Sequence, residues 1–246
     1  MWFDKTRAFA LHLLFSLLVI ALCLALIYFV WYPYPYFKIE QVWDVLKVVI
    51  LVDVLLGPLC TFVVYRRDKP RLNVDLSIII VLQLLALAWG MSVAYKERPV
   101  YVALVKTMFS VVPASSVDQQ QLPDPSLRST GWGGGPRVVY VDLPFDDPAF
   151  MAKVEQDMEQ GMKLAFYAEY YRDAGTYLPA AADDIDQRIR LFPQIKGDID
   201  RLVAKHGGSK ADYLFYSFEG RRSVGLLVVR RTDGQVIDAL LADASD

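Results

Sequence analysis

The chain has 246 residues, 54% of them hydrophobic, and a formal net charge of −2. That hydrophobic share is above the soluble norm, and without a basic stripe nothing points to a nucleic-acid partner. Its two cysteines, Cys23 and Cys60, both fall in apolar runs, so residues 99–246 can hold no disulfide, CxxC motif or cysteine zinc site.

The first apolar run covers residues 8–31 and is broken only by His12 and Ser16. About 20 apolar residues suffice to cross roughly 30 Å of hydrocarbon. Lys5 and Arg7 give it a signal-peptide-like start, but the run is too long and no small-residue cleavage site follows. It therefore reads as an uncleaved anchor. Its end, Trp31-Tyr32-Pro33-Tyr34-Pro35-Tyr36, reads as an aromatic belt in an extended, proline-rich turn. The second run, 45–65, contains Lys47, Asp53 and Gly57-Pro58; the third, 76–95, contains Gln83 and Gly90. Lys5, Arg7, Arg66, Arg67, Lys69 and Arg71 fall on one side of these runs, and Lys38 alone in the loop on the other. The positive-inside bias then predicts a cytoplasmic N-terminus and 66–75 loop. Residues from 96 onward are predicted to lie outside, which in a bacterium means the periplasm.

An ionisable group at mid-span costs about 2.5–3.5 kcal/mol on insertion scales. Lys47 is near the outer end of its run, and Asp44, three residues earlier, shares its face and can pair with it. Asp53 lies deeper, where its helical neighbours Val49, Ile50, Leu56 and Gly57 offer no cation. It must be neutral or find a partner on another helix. Pro58 lacks an amide and is expected to release the carbonyl of Val54, while Gly57 permits close helix approach. Asp53, Gly57, Pro58 and Gln83 are predicted to form an interhelical packing site. A proton-carrying carboxylate is the functional alternative, but no relay of acids or histidines accompanies Asp53. His12 reads as an interface residue rather than a ligand.

Residues 99–112 leave the membrane as β-rich sequence. Residues 113–136 are rich in Pro, Ser, Gln and Gly and read as a flexible segment; they lack the Gly-Lys-Ser/Thr ending of a phosphate loop. Residues 137–143 alternate as a strand. Asp147-Pro148 sets an N-cap before a first-turn proline. Phe150, Val154, Met158, Met162 and Phe166 follow at four-residue steps and predict one amphipathic helix face. Tyr167, Tyr170, Tyr171 and Tyr177 are expected mainly in the core, with a recognition surface as the alternative. Asp183 or Asp184 can cap a short helix that ends before Pro193. Asp198 can cap another that ends at Gly207-Gly208. Residues 211–218, 222–231 and 235–241 read as strands joined by turns at Glu219-Gly220 and Asp233-Gly234. The predicted architecture is a three-helix transmembrane bundle (residues 1–98) followed by a small periplasmic α+β domain (residues 99–246) with a C-terminal antiparallel meander.

Little in the chain supports an enzyme. His206 is the one histidine outside the apolar runs, no Gly-x-Ser-x-Gly elbow occurs, and no histidine pair suits zinc. Asp183-Asp184-x-Asp186 could form a carboxylate cluster, but helix capping explains it more simply. Asp53 and Asp75 lie at different depths, which argues against an intramembrane aspartyl protease.

The order of features is nonetheless distinctive. A short N-terminus and a Tyr-Pro turn precede Asp53-Val-Leu-Leu-Gly57-Pro58. A basic loop follows, then Asp75-Leu76 with Gln83, then Tyr95-x-x-Arg98-Pro99-Val100. This pattern resembles the TfpX/TfpZ family of type IV pilin accessory proteins, to which the fimbrial protein FimB is similar. The resemblance is clearest over the membrane half and continues more loosely through 150–171 and 211–241. It implies an inner-membrane helper for a cognate type IV pilin, with other inner-membrane pilus-assembly components as further partners, no cofactor and no catalysis. Asp53, Gly57, Pro58 and Gln83 would then be packing or pilin-contact positions, and Tyr95, Arg98 and Pro99 a membrane-exit motif. The competing readings are a modulator of pilus retraction and a membrane-anchored ligand-binding sensor; the short cytoplasmic parts give a sensor no output.

Overall fold

The computed structural model describes residues 2–66, 69–128 and 135–242. Among the described residues, three helices are long and apolar enough to cross a membrane: Trp2–Trp31, Val42–Val64 and Leu72–Lys96. The first consists of α1 (Trp2–Leu26) and a π turn over Ile27–Trp31. A short helix, α2 (Tyr36–Ile39), follows it. The second long helix combines α3 (Val42–Ile50), a π turn (Leu51–Leu56) and α4 (Gly57–Val64). The third, α5 (Leu72–Lys96), is unbroken. The first and third helices each pack on the second and touch each other little. All three converge at the end nearest the sheet, where Trp31, Tyr32, Val42 and Leu46 are buried against Met91 and Ala94. Elsewhere most of their large side chains stay exposed, as at Leu14, Leu82 and Leu85. Apolar exposure on that scale is unfavourable in water.

The remainder is built on a seven-stranded mixed sheet in the order β4-β3-β1-β2-β5-β6-β7. Its strands are β1 (Pro99–Val105), β2 (Met108–Pro113), β3 (Arg137–Val141), β4 (Tyr171–Asp173), β5 (Tyr213–Glu219), β6 (Val224–Arg230) and β7 (Val236–Leu241). β1 pairs antiparallel with β2 and parallel with β3, and β2 pairs parallel with β5. The remaining pairs are antiparallel. β1 is covered on both faces, and its side chains of alternate parity at residues 101–104 serve different cores. Tyr101 and Ala103 pack with α6 (Pro148–Glu159) through Phe150 and Val154. Val102 and Leu104 pack on the other face with Tyr36 and Ile39 of α2 and with Leu178 of α7 (Leu178–Ala181). A third cluster seats α8 (Ile185–Leu191) and α9 (Ile195–His206) against Phe215, Val228 and Ile237.

Several local expectations meet their geometry. The Asp147 carboxyl accepts from the Ala149 amide with Pro148 in the first turn. Asp184 caps α8, and α9 stops at Gly207 with φ at 82°. Others differ. α6 ends at Glu159, before Gly161 at φ 83°, so Met158 is exposed and Met162 and Phe166 lie beyond the helix. α9 begins at Ile195, which puts Asp198 inside its first turn rather than at the cap. The segment expected to be flexible carries 3-10 turns at Ala114–Ser116, Gln119–Gln121 and Pro125–Leu127, and Leu122 and Leu127 are in the core. Residues 129–134 of its glycine-rich end, and Arg67 of the basic loop, lie outside the described residues. Tyr167 and Tyr171 are buried and Tyr170 packs beside them, whereas Tyr177 stacks on Tyr140 with half-open exposure.

The largest departure is the turn between the first two long helices. It is a folded part of the sheet domain, not an extended belt: Ile39 is 0% exposed and Tyr36 5%. Ile39→Ala is therefore expected to destabilise the sheet domain by about 2–5 kcal/mol, the cost of an emptied aliphatic site. Pulse proteolysis in detergent, scored on fragments from the sheet domain, measures this; an unchanged cleavage midpoint would remove the turn from that core.

Candidate functional site

Two groups of residues carry the polar chemistry: one inside the helices and one where the helices meet the sheet. In the first, the π turn changes which carbonyl proline exposes. In α geometry the amide missing at Pro58 would have served Val54. In a π turn each amide reaches five residues back, so the orphan is the carbonyl of Asp53 within Leu51–Leu56. Gln83 of α5 answers it, donating from Nε2 to the Asp53 carbonyl oxygen at 3.2 Å. The Gln83 amide fits there because residue 57 is glycine; a Cβ on Gly57 would collide with it. The structure thus brings Asp53, Gly57 and Gln83 together, with Pro58 the cause of the vacancy that Gln83 fills. A second tie joins the second long helix to α1, where His12 Nδ1 and the Thr61 hydroxyl are hydrogen-bonded at 2.6 Å.

The Asp53 side chain is left over. Asp53 is 5% exposed and the Gln83 amide lies within reach of its carboxyl, but among the described residues neither carboxyl oxygen nor Gln83 Oε1 meets a donor in good hydrogen-bond geometry. Lys47 is engaged elsewhere, with Asp44 at 2.7 Å as the spacing predicts.

The second group sits at the junction. Arg98 donates to the Tyr95 carbonyl at 2.6 Å, and its guanidinium lies 3.7 Å from the Tyr95 ring centre. That ring packs edge-on against Trp31 at 5.3 Å. Tyr95, Arg98 and Pro99 therefore form the corner that turns α5 into β1. Around it, Arg221 pairs with Glu97 at 2.6 Å and Ser223 donates to the Ile39 carbonyl at 2.6 Å. Burial pushes the Glu40 carboxyl up, against the pull of Arg221.

At β7, Tyr34 donates to Asp238, which also takes Lys205 and His206 at 2.9 Å each. Lys38 donates to the neighbouring Ala239 carbonyl at 3.1 Å. Burial alone would push the Asp238 carboxyl up, but the bonds from Lys205, Tyr34 and His206 outweigh it and hold it at about 2. The hydrogen bonds to Asp238 and then Tyr34 push Lys205 up to about 12.

Sequence reasoning missed this cluster. The one visible signal was an aspartate inside the apolar run Val236-Ile237-Asp238-Ala239-Leu240. The acidic run near 183 is otherwise employed: Asp184 caps α8, Asp183 faces Arg188 at 3.4 Å and Asp186 pairs with Lys210.

Comparison with known proteins fixes the family. Residues 1–41 match the model of the fimbrial assembly protein FimB. The fimbrial assembly protein of serogroup I from Dichelobacter nodosus is 39% identical over 250 residues, covering 95% of this chain and 93% of that protein. The chain belongs to the FimB family of fimbrial assembly proteins. The protein of serogroups C1 and C2 from the same organism is 38% identical over 116 residues, 46% of this chain and 88% of its own length. No solved structure matches. In this FimB-family chain the matched residues 1–41 comprise the first long helix and the turn that docks beneath the sheet.

Two outcomes test the geometry. Gly57→Ala is expected to cost about 1–3 kcal/mol by overpacking, and adding Gln83→Ala should return most of it; thermal unfolding in detergent reads both, and additive losses would contradict the contact. Asp238 stabilises through a carboxylate held below its unfolded value of about 3.9. Its contribution is complete above about pH 4 and is lost as the pH falls toward about 2. Asp238→Asn should lower stability at pH 7 by about 1–3 kcal/mol and flatten that acid limb of the stability–pH curve; an unaltered limb would place the acid sensitivity elsewhere.

Proposed function

We propose that this chain is an inner-membrane fimbrial assembly factor that binds a cognate type IV pilin by contact and does no chemistry of its own. The bias of basic residues supports an N-terminus in the cytoplasm and a sheet domain in the periplasm. The relatives' names supply the process: each is a fimbrial assembly protein. The observation that carries the mechanism is the buried turn. Because Tyr36 and Ile39 belong to the sheet's core, the helices and the sheet domain are held as one body.

A waiting pilin has the matching layout, with one apolar helix in the membrane and a head outside it. A body that touches both parts gains from effective concentration: two modest contacts at fixed spacing can exceed either alone by orders of magnitude. Other pilus-assembly components of the inner membrane are further partners on this reading.

Photo-crosslinkers placed in the sheet domain and in the helices, in cells making the cognate pilin, provide the test. Pilin adducts are expected from both halves. The absence of adducts to pilin or any other pilus component from either half would reject the proposal.

A further inference from the structure

The first and third long helices flank the second and scarcely touch each other away from the sheet end. Between them lies a groove of about 430 Å³ including its open mouth, walled by Phe15 and Val19 of α1 and by Ile80 and Leu84 of α5. Its floor is the π turn, where the 5%-exposed Asp53 borders the space together with Gln83. Among the described residues, three polar atoms of these two lining side chains are buried without a hydrogen-bond partner: both Asp53 carboxyl oxygens and Gln83 Oε1. Packing alone does not require them, because the helix contact is already made by the Gln83 amide on the Asp53 carbonyl.

We propose that the groove receives a fourth apolar helix, from a partner protein, which presents a hydrogen-bond donor (hydroxyl, amide or ammonium) to Asp53 and Gln83. This rests on the proposed function and deepens it, by assigning the pilin's membrane helix a seat and a register. Complementarity selects the occupant. Lipid chains match the walls but bring no donor, and an unmatched carboxylate at mid-span is costly. A second copy of this chain exposes Leu14, Leu18, Leu82 and Leu85, which match the walls but not the floor; adducts between copies are the outcome that would favour it. A partner helix with one polar position satisfies walls and floor together. Since interhelical hydrogen bonds in membranes are modest, the donor's main effect is to fix depth and rotation.

The experiment uses the full chain in native membranes containing the cognate pilin, with a photo-crosslinking phenylalanine analogue at Ile80 or Leu84 in the groove, or at Leu82 or Leu85 outside it. Groove positions should yield pilin adducts about tenfold above the outer positions, and Asp53→Leu should lower them about tenfold while Asp53→Asn, which keeps an acceptor, retains most of them. The comparison of the two faces stands even if Asp53→Leu fails to accumulate. Equal adducts from both faces, adducts only to a second copy of this chain, or indifference to Asp53→Leu at normal protein level would overturn the proposal. If groove probes are silent while sheet-domain probes still capture pilin, the seat is wrong and the assembly function survives; silence from every probe removes both.

Discussion

Burial of Tyr36 and Ile39 beneath the sheet is the constraint on which the rest of the structure depends. The two residues lie in a turn between long apolar helices, yet they complete the core around Val102, Leu104, Phe109 and Tyr216. Polar contacts fix the same turn at both ends: Tyr34 and Lys38 hold β7, and the Ile39 carbonyl takes the Ser223 hydroxyl. The first helix ends at this turn and the second begins from it. The third enters β1 through the Arg98 corner, packed on Trp31 by way of Tyr95. Each helix therefore leaves the sheet in a direction set by packing rather than by a free linker.

Within the helices the problem is different. In lipid, apolar faces gain nothing by meeting one another, so small residues and hydrogen bonds must define the contacts. His12–Thr61 and Gln83–Asp53 do this here, and Gly57 makes room for the second. π turns cost backbone regularity and occur often at functional positions. This one widens the helix beside a proline and places Asp53 on the border of the space between α1 and α5. On the proposed function, the arrangement gives the body a polar mark at one depth, in line with a head-reading domain above it.

How much of this was legible in the sequence depends on range. The apolar runs announce the three helices because crossing hydrocarbon demands length and composition together. Asp147-Pro148, Asp184 and Gly207 mark helix ends because their chemistry is local. The grouping of Asp53, Gly57 and Gln83 could be foreseen from an acid without a cation beside a Gly-Pro pair, but the exposed carbonyl was placed at Val54 because the π turn leaves no pattern in the residues. The parallel pairings of β1 with β3 and β2 with β5 join distant segments, so periodicity could not supply them. The docked turn was hidden for a related reason. Its tyrosines and prolines have the composition of an interfacial belt, and only tertiary packing distinguishes a belt from a core.

The central claim is that helices and sheet domain form one body. Spin labels at Leu85 on the third helix and Lys196 on α9, introduced after Cys23 and Cys60 are replaced by serine, report the distance between the two parts by pulsed electron resonance in nanodiscs. A single narrow distance distribution is the expected result, broadening when Ile39 is changed to alanine. A broad or multiple distribution in the unaltered chain would mean that the turn tethers two independent parts, and would contradict the account.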